Sequence, residues 1–442
     1  MTGNIFLINP LKTRYILTLF LLIFTVSVLY LQSLKAPWVD ECYSYYGVWH
    51  DNFSEFYDSM LTGINFSPPL YFLFNFCIQL IFPISIEQLR IQSLIFILIG
   101  IILSFLLTRK IFGRVVAFLG TILVTSQSHL LLSQAQEARH YAMFFACGAW
   151  VLYVQSLSVS ATAKNKWLLL LSHLSLCQVH YLGIIFSFLS GVSYFLTSKN
   201  RFGERIPISI TLCWLVSIVA YLFYLSKQQS VLNTWPKPNQ LSDLLAGYND
   251  SLLILSIIIP VFVFIIINKT DKCTKDRSIE DIQHSRPIII TTILWLTVPF
   301  IFWIISNLTS LNLFVDRYFI PKESALIFLI AYGFSLILRR LPKIKSMCIP
   351  ILGTFALSVV LILVSTKRDA FGLDKDTNYH HSLIIKECYP MSKQPIAIEG
   401  DPKYFPNAYL GNNQYLFTIK NDNLGKIYNK FSSKIKIIKE TE

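Results

Sequence analysis

An all-α polytopic membrane protein is the fold class the sequence predicts: about eleven transmembrane helices, an outer-face interfacial helix and a small C-terminal α/β tail. Three observations predict it. The 442 residues are 54% hydrophobic and only 14% charged, too little polar surface for a water-soluble chain of this size. Apolar runs close to the 20 residues that cross a bilayer recur along the whole chain. The basic residues gather in short loops between alternate runs, as cytoplasmic loops do. The net charge of +13 is therefore a topology signal, and no nucleic-acid partner is expected.

In chain order the apolar runs are 13–34, 89–108, 115–132, 141–158, 167–179, 181–197, 207–225, 251–268, 287–306, 324–338 and 347–365. The first is too long for the apolar core of a signal peptide and lacks a small-residue cleavage site, so it reads as a retained span. The run 70–83 is shorter and starts after Pro68-Pro69; proline suits a helix start, and the length suits an interfacial helix. Counting it as a span would put Arg109-Lys110 and Arg339-Arg340 on opposite faces and spoil the charge asymmetry. With the N-terminus cytoplasmic, loop 35–88, turn 133–140, the turn at His180, loop 307–323 and the tail 366–442 all fall outside. Residues 1–365 then form the transmembrane domain and 366–442 a small non-cytoplasmic one, with alternating apolar stretches Gln394–Glu399 and Tyr415–Ile419 and a basic, strand-like or helical end at Ser433–Lys439. Cys42 and Cys388 are the cysteines placed on the oxidising side, where one disulfide could form.

The outer segments carry the candidate chemistry. Asp40-Glu41 follows the first span; two adjacent carboxylates at a membrane surface either bind a divalent cation, act as a general base with an orienting acid, or simply begin a solvated loop. Arg90 stands at the outer end of the second span, where an arginine either reaches headgroups or contacts an anionic ligand. The stretch Ser133-Gln134-Ala135-Gln136-Glu137-Ala138-Arg139-His140-Tyr141 packs an acid, bases, amides and a tyrosine into one turn. Arg139 can hold a phosphate through charge-assisted contacts; Glu137 serves function or caps the next span. His180-Tyr181 breaks two short apolar runs, and Asp316-Arg317-Tyr318 offers either a second phosphate clamp or a local ion pair. Walker A, His-Glu-x-x-His, Gly-x-Ser-x-Gly and CxxC patterns are absent from the sequence.

Asp40-Glu41 with Tyr43-Ser44, Pro68-Pro69-Leu70-Tyr71, Leu89-Arg90, Gln136-Glu137-Ala138-Arg139 with Tyr141, His180-Tyr181-Leu182-Gly183, and Arg317-Tyr318 with Pro321 together resemble the GT-C superfamily of membrane glycosyltransferases. The nearest branch contains protein O-mannosyltransferases, lipid A aminoarabinose transferases and related bacterial lipid-linked-sugar transferases. The resemblance covers roughly residues 13–340. In that family a basic or imidazole residue often precedes the proline pair, and here the position holds Ser67.

The resemblance implies an inverting hexosyl or pentosyl transfer from a polyprenyl-phosphate sugar donor to a lipid, glycan or protein acceptor, in a bacterial inner membrane with the C-terminus outside. Asp40, Glu41 and Glu137 are then the catalytic candidates. Arg90, Gln136, Arg139, Tyr141, His180, Tyr181, Arg317 and Tyr318 are the substrate-binding ones. A divalent metal ion shared by Asp40 and Glu137 is the one cofactor to expect. A transporter or flippase for an anionic polyprenyl-linked lipid would use the same arginines and is the main rival. A glycan polymerase using diphosphate donors and an inactive scaffold are the others.

Overall fold

The computed structural model describes residues 10–34, 41, 44–45, 47–61, 67–82, 84–157, 163–197, 206–227, 241, 244, 278–309 and 314–340, and four strands within 396–439. The helices are α1 Pro10–Leu34, α2 Phe53–Leu61, α3 Leu70–Gln79, α4 Ile86–Phe112, α5 Arg114–Gln127 and α6 His129–Ala135. They continue with α7 Tyr141–Leu157, α8 Ala163–Val179, α9 Gly183–Thr197, α10 Ile206–Lys227, α11 Ser278–Leu308 and α12 Lys322–Arg340, with a 3₁₀ turn at Asp316–Phe319 before the last. Nine of the eleven expected spans coincide with helical segments among these residues. The runs 251–268 and 347–365 lie outside the described residues.

The helices bury one side and leave large apolar residues on the other. In α1, Phe20, Phe24, Val28 and Leu31 are buried at helical spacing, while Leu19, Leu22, Val26 and Leu29 are exposed. In α10, Leu215, Val219 and Leu222 are likewise uncovered. Ladders of exposed aliphatics on this scale fit a hydrocarbon solvent and not water. Within the described residues two helical stretches, Ile86–Phe112 and Arg286–Leu308, are individually long and apolar enough to cross a membrane.

The expected straight run 115–132 is instead a bent pair. α5 and α6 meet at 70° across Ser128, whose backbone is extended and whose hydroxyl accepts from Leu131 N to cap α6. A capping serine ends one helix and starts another, so α6 can turn its far end toward α1 and α4. The short apolar run after the proline pair gives α3, ten residues long. That is about 15 Å of helix, half the hydrocarbon thickness, so α3 does not span.

Polar side chains join the apolar helices. His173 Nδ1 and Ser187 Oγ lie 2.8 Å apart, Trp214 Nε1 donates to the same oxygen at 2.8 Å, and Trp295 Nε1 donates to Phe186 O at 2.8 Å. These bonds tie α8, α9, α10 and α11, as interhelical polar contacts do where no hydrophobic effect drives association. Near the C-terminus, β1 Ile396–Glu399, β2 Ala408–Gly411, β3 Gln414–Ile419 and β4 Lys436–Lys439 form a sheet in the order β2-β3-β1-β4. β1 pairs in parallel with β3 and β4, and β2 runs antiparallel to β3. A helical part of the expected tail falls outside the described residues.

The chain turns from α8 to α9 at His180, and Gly183 makes that turn close. A Cβ there would run into the Leu176 carbonyl, a backbone atom that cannot swing aside. Gly183→Ala should therefore lower thermal stability in detergent by roughly 1–3 kcal/mol, the cost of forcing extra atoms into a packed interior. An unchanged melting temperature would show that the turn is not this tightly closed.

Candidate active site

The site is assembled where the ends of α1, α6, α8 and α11 meet the starts of α3, α4, α7, α9 and α12. Its first component is an ion pair. Arg90 Nε donates to Glu41 Oε1 at 2.8 Å and Nη2 to Oε2 at 2.7 Å, with both residues buried. Ala138 N donates to Glu41 Oε1 at 2.8 Å. Gln32, near the end of α1, accepts from Arg90 Nη1 through its backbone carbonyl at 3.2 Å, and its amide donates to Arg90 O and Ala135 O. The first loop, the start of α4 and the α6–α7 turn are thus one hydrogen-bonded unit, so Glu41 and the Glu137-Ala138-Arg139 turn share one region.

The second component is a stack of rings. His140 and His180 lie 5.3 Å apart, near parallel, and Tyr318 meets His180 at 4.9 Å. Tyr141 lies 5.9 Å from Tyr318 and 4.2 Å from His140, and Phe144 covers His180 at 4.9 Å. Both Arg139 and Arg317 set their guanidinium carbons 5.6 Å from the Tyr141 ring centre. Ser67 Oγ is 3.3 and 3.2 Å from the two ring nitrogens of His140.

Both imidazoles are held neutral. Burial lowers the His140 pKa well below its ordinary value, and His180, Arg139 and Arg317 lower it further. Burial, then the fields of Arg139 and Arg317, push His180 down to about 3. Leu182 N donates to His180 Nδ1 at 3.1 Å, which leaves the proton of the neutral ring on Nε2. Two cationic side chains beside neutral rings form an electropositive site suited to an anion.

The remaining expected residues divide. Glu137 Oε2 accepts from Gln134 Nε2 at 3.2 Å, and Gln136 Nε2 donates to Leu132 O at 2.9 Å. Tyr181, next to His180, turns its ring edge-on to Tyr221 at 4.6 Å, away from the stack. Asp316 accepts from the backbone N of Arg317 at 2.7 Å. Asp40, and with it the expected carboxylate pairing for a metal, lies outside the described residues; among those described, no group of three or more His, Cys, Asp or Glu side chains is placed to hold a metal ion. Three residues at the site stood in the sequence motifs without a role of their own: His140, Ser67 and Tyr71. The Arg-His-Tyr order marked the first, and the serine before two prolines marked the second.

The fold is that of a helical membrane protein whose cationic, ring-lined site lies at one end of its helices. The fold is shared with solved structures of ArnT from Cupriavidus metallidurans. The apo form matches with a TM-score of 0.63 and the undecaprenyl phosphate-bound form with 0.62, each at 12% identity over 95% of this chain and 89% of the other. At that identity the likeness shows a shared fold, and the GT-C resemblance of the motifs stands beside it. No protein-family model and no curated protein sequence matches the chain.

Two outcomes follow from the geometry. Arg90→Met strands a buried carboxylate and should cost about 3–5 kcal/mol, whereas Glu41→Gln with Arg90→Met should recover most of it. Melting curves of both variants beside the wild type in detergent check this, and an unshifted Arg90→Met would remove the bracing role. The histidines give a pH effect. Their folded pKa values lie below the unfolded value of about 6.5, so their contribution is complete above that pH and shrinks as pH falls toward 3. The wild-type melting temperature should drop on acidification from about pH 7 to 5 more steeply than that of His180→Phe.

Proposed function

We propose that the chain is a membrane glycosyltransferase, moving a monosaccharide from a polyprenyl-phosphate donor to an acceptor on the non-cytoplasmic face. The observation that carries this reading is the convergence of Arg139 and Arg317, from segments far apart in sequence, on one tyrosine beside two neutral imidazoles. The likeness in fold to an ArnT captured with undecaprenyl phosphate supports the choice of lipid.

In this reading the two guanidiniums bind the phosphate and stabilise the charge it gains as the bond to sugar C1 breaks. Asp40, one peptide bond from Glu41, orients or deprotonates the acceptor hydroxyl, and attack on C1 inverts the configuration. Glu41, saturated by Arg90 and Ala138 N, holds the turn that presents Arg139. Glu137 and Gln136 line the sugar side, and Tyr318 packs against the stack that Arg317 flanks. A divalent ion at Asp40 and Glu137 belongs to the proposal, and loss of turnover in chelator, restored by Mg²⁺ or Mn²⁺, is its test. The membrane is a bacterial inner membrane and the N-terminus cytoplasmic.

Purified protein in nanodiscs, given radiolabelled polyprenyl-phosphate sugars and membrane acceptors, should release polyprenyl phosphate and label the acceptor. Arg139→Ala and Arg317→Ala should each reduce turnover by about 10- to 100-fold, the value of a charged hydrogen bond at 1.5–3 kcal/mol. Asp40→Asn should abolish it. Lipid flipping without turnover favours the transporter instead, and full activity in both arginine variants removes the phosphate assignment.

A further inference from the structure

Tyr71 lies in the first turn of α3, just after the proline pair. Its side chain is fully buried, yet among the described residues its hydroxyl has no hydrogen-bond partner. Buried polar atoms are nearly always paired, so an unpaired one in a site calls for a partner that arrives with the ligand. The ring meets His140 at 6.1 Å, edge to face, and His140 in turn touches Ser67. The fields of Arg139 and Glu41 both reach the hydroxyl, in opposite senses, while burial raises its pKa above the ordinary phenol value. The group is therefore a neutral donor, placed against His140, the residue that follows Arg139.

We propose that the Tyr71 hydroxyl donates a hydrogen bond to the phosphate of the bound lipid carrier, beside Arg139. The inference rests on the transferase reading and deepens it. Ser67 brings no charge to the position before the prolines. Tyr71, four residues on, supplies a donor to an anion at the same entry to α3. An anionic oxygen is the better fit for this hydroxyl, because hydrogen bonds to charged acceptors are the strong ones.

Tyr71→Phe removes the oxygen alone. Two measurements on the full chain in nanodiscs decide the matter: affinity for undecaprenyl phosphate, with uncharged undecaprenol as control, and thermal unfolding without lipid. Tyr71→Phe should weaken phosphate-lipid binding by about 10- to 100-fold and leave the melting temperature unchanged or higher, since an unpaired buried hydroxyl stabilises nothing. Unchanged affinity overturns the proposal. So does a fall in melting temperature that accompanies the loss of affinity, which would mark a structural bond. If the phosphate lipid binds Tyr71→Phe normally and only the sugar-loaded form is weakened, the hydroxyl meets the sugar and the phosphate assignment fails. Wild type that cannot tell the phosphate lipid from undecaprenol fails at an earlier point: it removes the transferase reading, and this inference with it.

Discussion

The carboxylate of Glu41 is the fixed point of the site. It takes hydrogen bonds from Arg90 and from the backbone of Ala138, residues 49 and 97 positions away. A buried ion pair rarely stabilises a protein more than apolar residues of the same size would, because desolvation offsets the attraction. What it supplies here is position. Gln32 adds bonds to Arg90 O and Ala135 O, so three segments can be displaced only together. Arg139 and His140 follow Ala138 directly, and their places are set by the same carboxylate.

Neutralising Glu41 also sets the electrostatics. With its charge matched by Arg90, the fields acting on the buried imidazoles come from Arg139 and Arg317, and for His140 first from His180. Protonating either histidine would add a cation to a desolvated cluster, so burial and repulsion act in the same direction. The Tyr141 face attracts both guanidiniums, whose central carbons lie 5.6 Å from the ring centre, a contact worth about 0.5–2 kcal/mol each.

Hydropathy located nine helical segments correctly because bilayer thickness constrains length and composition, which are written locally. It missed the bend at Ser128 because a window average does not register one hydroxyl that caps a helix start. Pairing was harder to read. Arg90 as a headgroup anchor and Arg90 as a partner of Glu41 look identical in sequence, since the partner is 49 residues away. His180 and Tyr181 are adjacent, yet one enters the ring stack and the other packs on α10; only the handedness of the turn decides. Tyr71 stood in a motif but without a role, because in an apolar helix a tyrosine reads as core, and its unpaired hydroxyl is what sets it apart from its phenylalanine neighbours.

Ser67 stands where the resembled motif often has a basic or imidazole residue. The expected basic or imidazole group before the proline pair is missing from the sequence position, but an imidazole is present in space: His140, from the α6–α7 turn, touches Ser67 Oγ. Because the turn that brings His140 there is held by Glu41 through Ala138 N, the ion pair, the imidazole and the helix entry depend on one another. At 12% identity the shared fold reports on helix packing alone, so a case for shared chemistry must come from contacts of this kind.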